Sequence, residues 1–139
     1  MRTLPPLLRR WLPAILLMAV IFLFSSIPSD ELPSFDWADF LIKKGGHALG
    51  YGLLALSYWH GLSPDRHGAR EGNKMPFAPA ARVSAWLLTV LYAVSDELHQ
   101  SFVPGRHASV WDVMIDALGA ALALWLADHS VKRLRRDAS

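Results

Sequence analysis

The chain has 139 residues, of which 53% are hydrophobic and 19% charged, with a net charge of +2. That is less charge than a soluble domain of this size carries, and the length suits one compact unit rather than two. The absence of cysteine excludes disulfides, thiolate nucleophiles and cysteine-ligated zinc or iron–sulfur clusters.

The apolar residues fall in four long blocks, each near the ~20 residues that a helix needs to cross a bilayer. The first helix is expected over roughly 11–27, around the run from Ala14 to Phe24, with Arg2, Arg9 and Arg10 before it. A secretory signal peptide has the same layout. No clean small-x-small cleavage site follows, so an uncleaved helix is expected. The second helix is expected over 44–62, the third over 83–102 and the fourth over 109–127. Pro104-Gly105 is a turn signal that stops the third helix and lets the fourth return. The stretch over 63–80 is rich in Pro, Gly and charge and reads as a linker.

Charge placement sets the expected orientation. Arg2, Arg9 and Arg10, then Arg66, Arg70, Lys74 and Arg82, then Lys132, Arg133, Arg135 and Arg136 make eleven of the fourteen basic residues. All eleven lie on one side if there are four spans. The opposite loops hold only Lys43, Lys44 and Arg106, beside Asp30, Glu31, Asp36 and Asp39. The expectation is an all-α integral membrane bundle of about four transmembrane helices, one domain over 1–139, multi-pass in the inner membrane. Both termini and the 63–80 linker are cytoplasmic in this reading. The basic residues then meet an anionic leaflet, so the pI of about 9.2 does not argue for nucleic acid as a partner. Trp11, Trp59, Trp86 and Trp125 fall near inner helix ends, and Trp37 and Trp111 near outer ones, as an aromatic belt requires.

The polar residues within the spans gather at the outer end. Lys44, His47 and Tyr51 open the second helix. Asp96, Glu97, His99 and Gln100 close the third, with Asp96, His99 and Gln100 on one face. Arg106 follows the turn, and Asp112 and Asp116 open the fourth helix. Asp116 lies ~6 Å deeper than Asp112, where a carboxylate needs a cation, donors or a proton. Gly45, Gly46, Gly50 and Gly52, facing Gly119-Ala120-Ala121, are expected to let the backbones approach closely.

These residues resemble the VanZ-like family of small bacterial membrane proteins, named for a teicoplanin-resistance protein. The likeness begins with Phe24-Ser25-Ser26-Ile27-Pro28 and Lys44-Gly45-Gly46-His47, followed by Tyr51 and Leu54. It is strongest over Ser95 to Arg106, then continues at Ser109, Asp112, Asp116 and Gly119. At Asp116 this chain departs from the family, which more often has Asn there. The resemblance implies a cell-envelope role and lowered sensitivity to a glycopeptide antibiotic, and supplies no settled activity.

Several readings of the cluster stay open. In the preferred one it binds an anionic lipid headgroup or a lipid-linked cell-wall precursor, with Lys44, His47 and Arg106 as anion contacts. In the alternative it is a small enzyme acting on a lipid phosphate or pyrophosphate, with His47, Asp96, Glu97 and His99 as candidate catalytic groups; no phosphatase signature supports it. A third reading puts a metal on His47, His99 and the carboxylates. It lacks an HExxH-like spacing, so neither a metal nor another cofactor is expected. Each reading competes with a plain packing clamp, in which Arg106 pairs with Asp112. Single cysteines placed at Asp36, Arg70 and Ser139 test the topology: only the first is expected to label from outside.

Overall fold

A computed structural model describes residues 5–28, 36–63 and 79–137, and for 36–43 and 135 the backbone alone. The described residues form four helices and no strand: α1 (Pro6–Ser25), α2 (Asp36–Leu62), α3 (Pro79–Gln100) and α4 (Val110–Asp137). The all-helical expectation holds, but the helices outrun the apolar blocks. Pro6 and Pro79 start α1 and α3 four or five residues early, because proline's fixed φ suits a first turn whose N–H has no partner. Helix α2 begins at Asp36 rather than 44, so Asp36, Asp39 and Lys43 belong to a helix and not to a loop. Hydropathy marks what fits in lipid; it does not mark where a helix begins. Helix α4 continues ten residues past the expected 127, through the basic tail. Lys132 pairs with Asp128 one turn back at 2.8 Å and supports this extension. The linker at 64–78 and the acids Asp30 and Glu31 lie outside the described residues.

Contacts between helix ends fix the topology. The start of α1 meets the end of α2, where the Trp11 ring lies against Gly61 and Arg10 reaches the His60 carbonyl at 3.5 Å. The start of α3 meets the end of α4 through Arg82 and Asp128 at 2.6 Å. At the other end Lys44 of α2 pairs with Asp112 of α4, and Ser25 of α1 bonds Asp96 of α3. Neighbouring helices therefore alternate in direction, and Pro5 and Asp137 lie at the same end of the bundle. The described basic residues Arg9, Arg10, Arg82, Lys132, Arg133 and Arg136 gather at that end.

Helix α2 lies at the centre, against all three others, and α4 packs against α2 and α3. The α2–α4 seam is built from small residues. A Cβ on Gly119 would fall 2.5 Å from the Ala48 carbonyl oxygen, and one on Gly52 3.2 Å from the Ala123 Cβ. Gly45, Gly46 and Gly50 have nothing within 4 Å of a Cβ position, so three of the four expected contact glycines on α2 face open space. The core between the helices is Ala14, Tyr51, Leu54, Ala55, Tyr58, Trp59, Ala85, Ala93, Ala120 and Leu124. Trp59 thus belongs to the core rather than to an interfacial belt. The outward faces carry Leu16, Leu23, Leu49, Leu91, Leu118 and Leu122, each more than half exposed. Such a surface suits lipid and not water. Helix α1 and the Val110–Leu134 part of α4 are long and apolar enough to cross a membrane.

The seam predicts opposite outcomes for two identical substitutions. Gly119→Ala is expected to lower stability by about 1–3 kcal/mol, because overpacking at backbone contact outweighs any gain in helix propensity. Gly50→Ala is expected to be neutral or to gain up to about 1 kcal/mol. Thermal melting of both variants in detergent checks the pair.

Candidate functional site

The end of the bundle opposite the termini holds a connected polar network around one carboxylate. Asp96, 3% exposed, accepts three hydrogen bonds on Oδ2, one from each of three helices. Ser25 Oγ donates at 2.7 Å from α1, Tyr51 Oη at 3.0 Å from α2 and Gln100 Nε2 at 3.0 Å from the next turn of α3. Tyr51 is itself 1% exposed. The helical spacing of four places Gln100 beside Asp96, and the serine ends α1 at the same depth. Asp96 Oδ1 is buried and accepts no hydrogen bond from the described residues.

Arg106 extends this network. Val103 to Arg106 forms a turn closed by Arg106 N–H to the Val103 carbonyl at 3.1 Å, with Gly105 at φ 72°. Pro104 in second place and a left-handed glycine in third are the residues that a type II turn requires. The turn sends the Arg106 side chain back over α1. Its Nε donates to the Ile27 carbonyl at 3.1 Å, Nη2 to the Phe24 carbonyl at 3.0 Å and Nη1 to Gln100 Oε1 at 3.3 Å. The Phe24 carbonyl also accepts the Ile27 N–H at 3.3 Å, and a cation at this end of α1 suits the helix dipole. Asp112 meets Lys44 and not Arg106, so the turn-closing pair expected from the sequence is replaced by an arginine clamp on α1.

Glu97 faces the other way, towards α4. Its Oε2 accepts the backbone N–H of Ser109 at 2.7 Å, just before the first turn of α4. A carboxylate in that position offsets the positive end of the helix dipole. His47 and Asp116 form the remaining pair, with Nδ1 3.6 Å from Oδ2. Asp116 is 1% exposed, and neither of its carboxylate oxygens has a partner within hydrogen-bond distance among the described residues. His47 is partly exposed and lies 6.2 Å from Tyr51, ring to ring. His99 turns to α1: its Nε2 is 3.0 Å from Ser26 Oγ, and its ring stacks on Phe22 with centroids 4.5 Å apart. The two histidines thus face α4 and α1 respectively. No group of three or more His, Cys, Asp or Glu with metal-holding geometry occurs among the described residues.

The structure therefore brings Tyr51, Asp96, Gln100 and Arg106 into one network, Lys44 with Asp112, and His47 with Asp116, while Glu97 caps α4 and His99 braces α1. Sequence reasoning left Ser25, Ser26 and Ser109 outside the site. The signal for the first two was present: adjacent hydroxyls close an otherwise apolar helix. The Ser109 contribution is a backbone N–H, which no side-chain pattern reveals. Tyr92 was also missed; its hydroxyl donates to the Met18 carbonyl at 2.7 Å and ties α3 to the middle of α1.

A four-helix bundle with a leucine surface, two helices apolar enough to cross a membrane and ionisable residues collected inside one end has the make-up of a small membrane protein. The VanZ/LLP1 family model matches residues 10–131, and the chain belongs to that family. Neither a curated protein nor a solved structure matches it.

Arg106→Lys tests the clamp. One ammonium cannot span two carbonyls and an amide that three guanidinium nitrogens hold. The variant is expected to lose about 2 kcal/mol, read as a lower melting temperature in detergent. An unchanged melting temperature would sink the clamp and return Arg106 to the role of anion contact.

Proposed function

We propose that this VanZ-family protein spans the inner membrane four times with both termini cytoplasmic. Its outer polar site takes the headgroup of an anionic membrane lipid or the end of a lipid-linked cell-wall precursor. Occupying that group lowers sensitivity to a glycopeptide antibiotic such as teicoplanin. The orientation rests on the basic residues collected at the end that carries the termini.

Asp116 carries the binding reading. A carboxylate that is 1% exposed, with Oδ1 unpartnered among the described residues and Oδ2 facing only the His47 ring at 3.6 Å, is incompletely satisfied and costs free energy unless something completes it. Asp96 Oδ1 is in the same state. Lys44 and His47, both partly exposed, stand at the rim of the same end. A ligand that combines a phosphate with hydroxyl or amine donors answers both needs: the anion meets Lys44 and His47, and the donors meet Asp116 and Asp96. Lipid headgroups and precursor ends have that mixed chemistry. Arg106 then acts behind the site by holding Gln100 and α1 in place, and anion contact falls to Lys44 and His47.

Native mass spectrometry of the detergent-purified protein tests this, with wild type beside His47→Ala and Asp116→Ala. A phosphate-bearing lipid or precursor is expected on wild type and lost from both variants. Host cells carrying either variant are expected to lose the gain in teicoplanin tolerance while the protein still inserts. Equal adducts on all three proteins would reject the site.

A further inference from the structure

We propose that the groove between the start of α3 and the second half of α4 binds one anionic phospholipid of the leaflet at that end of the bundle. The groove has a volume of about 490 Å³ and lies at the opposite end of the molecule from the polar network. It stands on observations independent of that network.

Its polar end is a cation pair sharing one acceptor. Arg82 Nη1 and Lys132 Nζ converge on the same oxygen, Asp128 Oδ2, at 2.6 and 2.8 Å. Two positive charges on one carboxylate leave a net positive charge, and each cation keeps further N–H donors. Lys132 is 63% exposed while Asp128 is 15% exposed. The anion therefore lies inside, and unused donors face the surroundings. That is a site for a phosphate oxygen, which competes with Asp128 for the two cations.

Below the cations the groove becomes apolar. Leu124 forms its buried floor, and Val83 and Trp125, each more than half exposed, stand on its walls. Trp86 is fixed along it by its indole N–H, which donates to the Ala117 carbonyl at 3.0 Å. From Lys132 to Ala121, the two ends of the α4 lining, eleven residues rise ~16 Å. Of that length the apolar lining, Trp125 to Ala121, takes ~6 Å, enough for the first part of an acyl chain below a headgroup held by the cations. A soluble phosphate would use only the top of this groove. A lipid fills both parts, and basic pockets between spanning helices are where anionic headgroups collect.

The test uses the full chain in detergent, titrated with dioleoylphosphatidylglycerol or dioleoylphosphatidylcholine and read by native mass spectrometry. Wild type is expected to prefer phosphatidylglycerol. The double variant Arg82→Gln/Lys132→Gln is expected to bind it about tenfold more weakly, with phosphatidylcholine unchanged. Asp128→Asn is expected to bind phosphatidylglycerol more tightly, because it releases both cations; a mere structural salt bridge predicts no such gain. Val83→Trp plugs the apolar part with the charges intact and is expected to weaken binding, which decides the matter if the double variant loses helicity by circular dichroism. Equal affinity for the two lipids in wild type, wild-type binding in the folded double variant or in Val83→Trp, weaker binding in Asp128→Asn, or displacement of the lipid by millimolar inorganic phosphate would overturn the proposal.

Discussion

A carboxylate buried among apolar helices is tolerated only when donors surround it, and Asp96 has drawn its donors from three helices at once. Ser25, Tyr51 and Gln100 meet on a single oxygen, so α1, α2 and α3 cannot slide along one another without leaving a buried charge unpaired. Leucine faces alone do not fix register in lipid, because hydrocarbon is as good a neighbour as another leucine. The polar hub supplies what the apolar surface cannot, a specific depth for each helix. Arg106 reinforces it from outside by gripping Gln100 and the last carbonyls of α1. That grip makes the serine end of α1 a fixed part of the site rather than a frayed terminus.

Helix α4 is held differently. No side chain of α4 donates to Asp96; the helix is seated by Gly119 against Ala48 and by Gly52 near Ala123. Close backbone approach along this seam carries Asp116 deep beside α2, opposite His47. Packing therefore places a carboxylate where hydrogen bonding would not have put one. The two systems give the two carboxylates different characters. Asp96 takes three hydrogen bonds on one oxygen and keeps the other spare, whereas Asp116 has only the His47 ring at 3.6 Å among the described residues.

Much of this was legible in the sequence. Four apolar blocks separated by turn residues give four helices, and the three- and four-residue spacings around Asp96 place Gln100 correctly beside it. What escaped is what hydropathy and residue type do not encode. The start of α2 at Asp36 lies in an apolar stretch broken by Asp39 and Lys43, and the end of α4 at Asp137 in a basic one; both are helical because no Pro or Gly interrupts them. Gly45, Gly46 and Gly50 resemble Gly52 in a sequence, yet a helix has one face per neighbour, and only Gly52 lies on the face towards α4. Arg106 reads as an anion binder because guanidinium suits phosphate. Its true acceptors are main-chain carbonyls of α1, and carbonyls carry no sequence signature.

The bundle is fastened by different chemistry at its two ends, and that difference follows from where water reaches. At the polar-network end the main acceptor is buried and its donors are largely neutral: two hydroxyls and an amide. Neutral donors avoid the desolvation penalty that a buried cation would add. At the end with the termini, Arg82 and Lys132 hold Asp128 while keeping their long side chains partly outside. Long cationic side chains reach from apolar surroundings to the interface at little cost. The first arrangement creates specific registry and leaves deep acceptors unsatisfied. The second creates a positive surface just above an apolar trough. The two ends thus differ in chemistry: neutral donors gather on a buried carboxylate at one, and two cations share one carboxylate at the other. Both arise from the same necessity, that every charge in or near hydrocarbon must find its partner.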